Sequence, residues 1–234
     1  MSTRPRPALI AHRGMPRTHR ENTLAGFLAA AAAGADGWEL DVHGSRDGVV
    51  VVHHDPMLPS FAGKLAGSLI ADVDWSVLAE ATIGPSGERM PSLDAVLAAA
   101  TPPTIVCVEI KARAIEPLVL ASIGRYPGTA CAIHSFDHRV ARRIHDAAGH
   151  VPVGILVDSY LVDAPHALAA AGARDYWAHR EMVDQALVDA IHAADGRVIV
   201  WTVNESADAR RLAALGVDAL CSDVVDALRT ALGA

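Results

Sequence analysis

Eight times along the chain, a short run of apolar, mostly β-branched residues is followed by a longer alanine-rich run whose apolar positions recur at helical spacing. The strand-like runs fall at 8–11, 38–42, 105–110, 130–133, 153–157, 176–178, 197–202 and 219–221. The helical runs that follow them fall at 23–33, 92–100, 116–125, 137–148, 164–171, 183–194, 207–215 and 223–232. Asn22 or Thr23 is the expected cap of the first helix and Ser92 that of the second, since a short polar side chain can accept an N–H of the first turn. Repeated strand–helix units over 234 residues favour a (β/α)₈ barrel, an α/β fold, over an open doubly wound sheet. No glycine-rich GxGxxG follows the first strand, which argues against dinucleotide binding. One irregular stretch, about 57–90, is rich in Gly, Pro and Ser, with one short helix expected near 73–80. It reads as an insertion after the second strand of a single domain, preceded by an extra apolar run at 49–52.

Composition excludes several classes of function. Half the residues are apolar, enough for a large core. The net charge of −7 comes from scattered acids and bases without a basic patch, so no nucleic-acid partner is expected. No apolar run reaches the roughly 18 residues of a membrane span, so no stable membrane anchor is expected. Residues 1–7 carry two arginines and no apolar stretch, so no secretory leader is expected either. Cys107, Cys131 and Cys221 each lie in an apolar run. Their odd number and wide spacing suggest buried thiols in a reducing compartment, with the cytoplasm as the expected location. Oligomeric state leaves no mark in the sequence.

The chemistry concentrates between Asp36 and Pro56. Glu39 and Asp41 stand two apart in a strand whose other residues, Trp38, Leu40 and Val42, are apolar. Alternation therefore points both carboxylates to one face. Like charges side by side in a partly buried place repel and raise each other's pKa, and a bound cation removes that repulsion. A barrel collects its functional residues at the C-terminal ends of its strands. Those ends carry His12-Arg13, Glu39 with Asp41, His54-Asp55, Glu109 with Lys111, Ser135-Phe136, Trp201 to Asn204, and Ser222-Asp223. Three carboxylates from two strands suit a hard divalent cation, Mg²⁺ or Ca²⁺. Arg13 and Lys111 supply the positive charge a phosphate needs. Against eighteen arginines the chain has only two lysines, which makes a lysine at a strand end the more notable. His12 and His54 titrate near neutrality, so one can accept a proton while the other donates one. Together these groups are equipment for breaking a phosphodiester. Taken singly, His12 could be a satisfied loop histidine, Arg13 and Lys111 structural ion-pair partners, and Trp201 a core residue. His43, His53 and His134 lie close enough to strand ends to support the site.

These pieces, in this order, resemble the glycerophosphodiester phosphodiesterases: His12-Arg13-Gly14, Glu21-Asn22-Thr23, Glu39-Leu40-Asp41-Val42, Asp47-Gly48, His54-Asp55, Pro91-Ser92-Leu93, Glu109-Ile110-Lys111, Ser135-Phe136, Trp201-Thr202-Val203-Asn204, and Gly216-Val217-Asp218 with Ser222-Asp223. The match runs from residue 9 to about 228. The resemblance implies a (β/α)₈ barrel with a small insertion after the second strand. It implies a Ca²⁺ or Mg²⁺ held by Glu39, Asp41 and Glu109, with His12 and His54 as the general acid/base pair. Arg13 and Lys111 would hold the phosphate, and Phe136 and Trp201 would line the substrate pocket. The implied reaction converts a small glycerophosphodiester to glycerol 3-phosphate and an alcohol. Which histidine is the base, and whether water attacks directly or a glycerol hydroxyl first closes a cyclic phosphate, both stay open.

The chain departs from the family pattern at His19-Arg20, Ser45, Ser222 and the segment from Pro56 to Phe61, without losing a ligand or proton carrier. Two other functions compete. A related barrel phospholipase acting on lysophospholipids or sphingomyelin would need an exposed apolar rim, for which Leu58, Phe61, Leu65, Leu69 and Ile70 are candidates. A non-catalytic phosphate-binding barrel would be marked by loss of a proton carrier.

Overall fold

The computed structural model describes residues 6–233. The leader expectation rests largely on residues 1–5, which lie outside the described residues. Eight parallel strands close into a barrel in the order β1 (Ala8–His12), β2 (Gly37–Gly44), β4 (Ile105–Ile110), β5 (Ala130–Ser135), β6 (Val153–Val157), β7 (Asp175–His179), β8 (Arg197–Trp201) and β9 (Ala219–Ser222). Closure is made by β1, which pairs with β2 through Ile10 beside Gly37 and with β9 through Ala11 beside Ser222. β3 (Val50–Val52) is the one antiparallel addition to this sheet, with Val52 beside Val42 of β2. Outside the barrel run α1 (Leu24–Ala32), α3 (Leu93–Ala99), α4 (Glu116–Arg125), α5 (His138–Ala147), α6 (Ala164–Ala170), α7 (Gln185–Ala193), α8 (Ser206–Leu215) and α9 (Val225–Ala231), while the short α2 (Trp75–Leu78) belongs to the insertion. The fold is the expected (β/α)₈ barrel.

Strand alternation sorts the residues into two cores. Outward-facing Leu9, Ala11, Leu40, Val42, Val106, Val108 and Ile110 pack under the helices. Inward-facing Ile10, Cys107, Leu156, Trp177, Ile199 and Cys221 fill the barrel itself. All three thiols are free; Cys107 and Cys221 are buried and Cys131 half-buried. Helix starts are fixed by side chains that accept a first-turn N–H: Thr23 from Gly26, Ser92 from Ala95, and Asp137, Asp163 and Asp184 on α5, α6 and α7. The first helix is therefore capped by Thr23, and Asn22 is released for another task. No helix among the described residues is long and apolar enough to cross a membrane.

The four-valine run is buried on both faces, and the insertion is the reason. Val50 and Val52 join the core under the helices, whereas Val51 turns the other way to meet Leu58, Ile70, Leu78, Ile83 and Met90. Two residues expected on an exposed rim are thus interior: Leu58 and Ile70 close a miniature core beneath the insertion. Met57, Phe61 and Leu69 remain about half exposed. The helix expected over 73–80 shrinks to the single turn of α2, preceded by 3-10 turns at Ser60–Leu65 and Ile70–Asp72.

Candidate active site

The chain leaves β1 through two consecutive residues in the left-handed region, Arg13 (φ 54°) and Gly14 (φ 89°). Gly14 is required sterically as well: a Cβ there would stand 2.8 Å from the carbonyl carbon of Gly26, at the start of α1. Arg13 carries a side chain in a conformation that costs about 1–2 kcal/mol. The turn is held by its neighbours. The Arg13 N–H donates to the Glu39 carbonyl oxygen at 2.9 Å, and the Asn22 N–H donates to the Arg13 carbonyl oxygen at 3.0 Å. The turn brings the guanidinium back over the barrel, with Nε 3.1 Å from Asp41 Oδ2 and Nη1 3.3 Å from Glu21.

Asp41 is fully buried. Its Oδ2 accepts from Asn22 Nδ2 at 2.9 Å, whereas Oδ1 accepts no hydrogen bond from any described residue. Lys111 Nζ stands 3.5 Å from Oδ1 and 2.9 Å from Glu109 Oε1. Parallel register sets Asp41 beside Glu109, and Glu109 beside His134. Ligand atoms of Glu39, Glu109 and His134 lie within 4.8 Å of one another. Burial, reinforced by the charges of Asp41 and Glu39, pushes the Glu109 carboxyl above its usual range. Three carboxylates face two cations here, one buried carboxylate oxygen lacks a donor, and oxygen donors predominate. That donor set fits a divalent cation.

Each proposed proton carrier has a carboxylate on its Nδ1. His12 Nδ1 lies 2.7 Å from Asp223 Oδ1, and His54 Nδ1 lies 2.8 Å from Asp55 Oδ1. Carboxylates only accept, so Nδ1 holds a hydrogen and Nε2 is left to exchange one. Asn204 orients Asp223 from two sides: its Nδ2 donates to Asp223 Oδ2 at 2.7 Å, and its Oδ1 accepts from the Asp223 N–H at 2.9 Å. Burial pushes the His12 imidazole down, but the Asp223 hydrogen bond and the Glu39 charge outweigh it, so its pKa rises. From β2, His43 Nε2 donates to the carbonyl oxygen of His54, on the exit from β3, at 3.0 Å. Burial lowers the His43 pKa.

His12, Arg13, Glu39, His54, Glu109, Lys111, His134, Phe136 and Trp201 line one cavity of about 180 Å³, floored by Trp177 and Cys221. Phe136 meets Trp201 edge to face at 5.5 Å, and Trp201 Nε1 donates to the Trp177 carbonyl oxygen. Trp201 is half-buried, packing against the inner core and lining the cavity at once. A wider groove of about 540 Å³ leads from Lys111 and Phe136 between the loops that follow β4 and β5. All nine residues singled out by sequence gather here except that Asp41 sits just behind the cavity wall, against Arg13 and Lys111. Asn22, Asn204, Asp223 and Asp55 were not given roles from sequence. Asn204, Asp223 and Asp55 were visible as polar strand-end residues, whereas Asn22 resembled a helix cap.

Comparison with known proteins agrees with the architecture. Residues 12–227 match the model of the glycerophosphoryl diester phosphodiesterase family, and the chain belongs to that family. It is 29% identical over 228 residues to a glycerophosphodiester phosphodiesterase of Caldanaerobacter subterraneus subsp. tengcongensis, covering 92% of this chain and 93% of that one. It is 26% identical to a glycerophosphodiester phosphodiesterase of Bacillus altitudinis, covering 93% and 95%. Among solved structures, an Oleispira antarctica phosphodiesterase in complex with the product sn-glycerol-3-phosphate superposes with a TM-score of 0.89 at 24% identity, covering 97% of each chain. The glycerophosphodiester phosphodiesterase of Thermotoga maritima superposes at 0.84 and 23% identity, covering 97% and 99%.

Proposed function

We propose that this chain, a glycerophosphodiester phosphodiesterase by family, hydrolyses small glycerophosphodiesters to glycerol 3-phosphate and an alcohol, using His12 and His54 as proton carriers beside a divalent cation. The observation that carries this reading is the pair of imidazoles, each with Nδ1 tied to a carboxylate, lining one cavity with Arg13, Lys111 and the acidic cluster. Arg13 and Lys111 would take the non-bridging phosphoryl oxygens, neutralising charge that the transition state spreads over them. One imidazole would accept the proton of the attacking hydroxyl. The other would give its proton to the departing alkoxide as the P–O bond breaks, so the pair ends with its protons exchanged. Glu39, Glu109 and Asp41 would hold the cation, which when bound supplies Lewis-acid polarisation of the phosphoryl group. Phe136 and Trp201 would bound the pocket and keep water from its apolar side.

The test is release of glycerol 3-phosphate from glycerophosphocholine by the intact protein, with and without EDTA, and by His12→Ala and His54→Ala. Activity should fall by about 10²–10⁴ in each histidine variant and disappear with chelator. Activity that survives both EDTA and His12→Ala refutes the reading. A second reading, cleavage of lysophospholipids, is favoured by the half-exposed Met57, Phe61 and Leu69 on the insertion. Comparing turnover of glycerophosphocholine and lysophosphatidylcholine, with phosphorus NMR of the products, separates the two.

A further inference from the structure

His134 is the buried group in the barrel that neither packing nor proton transfer accounts for. It is 1% exposed, and its Nδ1 has no hydrogen-bond partner among the described residues. Its Nε2 points at the acidic cluster, 3.8 Å from Glu39 Oε1. Register places it beside Glu109 on one side and Gly154 on the other. Gly154 matters because a Cβ there would stand 2.8 Å from Trp177 Cδ1. Without that Cβ, the indole lies flat across the barrel and stacks on the His134 ring, with centroids 4.1 Å apart and planes 12° apart. Three neighbouring strands thus cooperate to aim one imidazole edge at two carboxylates. The ring lines the cavity beside Glu39 and Glu109, and ligand atoms of the three lie within 4.8 Å of one another. The arrangement makes sense if Nε2 has a partner that is not a protein atom.

We propose that His134 is a nitrogen ligand of the cation, joining Glu39 and Glu109 in a mixed nitrogen–oxygen donor set that selects a transition-metal dication of the Mn²⁺, Co²⁺ or Zn²⁺ class over Ca²⁺ and Mg²⁺. The inference rests on the divalent-cation part of the proposed function and sharpens it. Ca²⁺ and Mg²⁺ take oxygen ligands, whereas imidazole is a ligand for the later metals. Asp41 has its Oδ2 taken by Asn22 and Arg13, which leaves Oδ1 as its oxygen for the same cation. The Ca²⁺ or Mg²⁺ expected from sequence presumes an all-oxygen site, and His134 is what departs from it. Its unpartnered Nδ1 leaves the Trp177 stack as the device that orients the ring, where a ligating histidine commonly relies on a hydrogen bond from its second nitrogen.

The test uses the full chain stripped by chelator, titrated with MnCl₂ and CaCl₂, with free Mn²⁺ read by electron paramagnetic resonance. Wild type should bind Mn²⁺ at least about tenfold more tightly than Ca²⁺, and electron spin echo of the Mn²⁺ complex should show ¹⁴N modulation from a directly bound imidazole. In His134→Gln, which offers an amide oxygen instead, the modulation should vanish and the Mn²⁺-to-Ca²⁺ preference should fall by about tenfold or more. Modulation that persists in the variant, or an unchanged preference, overturns the inference. Should His134→Gln fail to fold, wild type decides alone: Mn²⁺ bound without ¹⁴N modulation, or a preference below tenfold, overturns it. Either of those results leaves a divalent-cation site standing, whereas a stripped protein that binds neither ion refutes the cation in the proposed function and this inference together.

Discussion

Replacing Asp223 by Asn keeps the shape of the group on His12 and removes its charge. In the native arrangement Asp223 accepts from two donors, His12 Nδ1 at 2.7 Å on Oδ1 and Asn204 Nδ2 at 2.7 Å on Oδ2. An asparagine has one acceptor oxygen, so one of the two donors must then face an NH₂ group. The loss is that of a hydrogen bond to a charged group, about 1.5–3 kcal/mol. If that stabilisation is realised while His12 exchanges its proton, the turnover number falls by roughly 10- to 150-fold. The pH profile adds a second readout. The Asp223 hydrogen bond is the largest influence raising the His12 pKa against burial. Its removal lowers that pKa, and the limb of the rate profile that belongs to His12 moves to more acidic pH. The direction is the same whether His12 is the acid or the base, and the Glu39 contribution cancels when both proteins are compared at the same metal loading. The assay is initial-rate release of glycerol 3-phosphate from glycerophosphocholine between pH 5 and 10. A turnover number within twofold of wild type, with neither limb displaced, would refute the role assigned to Asp223.

Two further outcomes follow from the same geometry. His53 is buried, and burial, aided by the charge of Arg20, lowers its pKa from 6.5 to about 4. As pH falls below 6.5 the unfolded chain takes up this proton before the folded protein does, so stability is lost from pH 6.5 down to 4 by up to about 3 kcal/mol. Chemical denaturation of His53→Gln at pH 7 and pH 4 should show that share of the loss removed, and an identical loss in both proteins contradicts the assignment. Gly14→Ala puts a Cβ 2.8 Å from Gly26 at φ 89° and should cost on the order of 1–3 kcal/mol. That lowers the melting temperature by roughly 2–4 °C per kcal/mol in a chain of this size, with activity falling further because Arg13 moves; an unchanged melting temperature counts against it.

What sequence revealed and what it concealed divides along one physical line. The strands β4 and β6 and the helix α4 have the boundaries that apolar runs indicate. The strands β1, β5 and β9 each extend beyond their apolar runs, by His12, by His134 with Ser135, and by Ser222. A hydrophobic pattern ends a strand where polar residues begin, but at the mouth of this barrel polar residues are still strand, with His12 and His134 facing inward and Ser135 and Ser222 the other way. Two of the residues beyond the apolar runs, His12 and His134, line the cavity. The insertion was illegible for a different reason. Its core gathers Val51, Leu58, Ile70, Leu78, Ile83 and Met90 from unevenly spaced turns, so no period of 2 or 3.6 runs through it.

Carboxylates at i, i+2 on β2, and Glu109 near the end of β4 with Lys111 just past it, could be placed together because extended backbone alone brings them together. The partners that tune them could not. Asn22 reaches Asp41 across 19 residues, and Asp223 reaches His12 across 211. No local rule links such positions, since both contacts exist only once β1 lies between β2 and β9. Ala11 pairs with Ser222 on one side of β1 while His12 pairs with Glu39 on the other. The hydrogen bond between His12 and Asp223 is therefore made by the closure of the barrel, whereas Glu39 reaches the acidic cluster through the pairing of β2 with β4. A strand order that left β1 unpaired with β9 would keep every motif in the sequence and lose the Asp223 contact. The order of motifs is accordingly evidence of family, while the proton chemistry depends on the closed ring of eight strands.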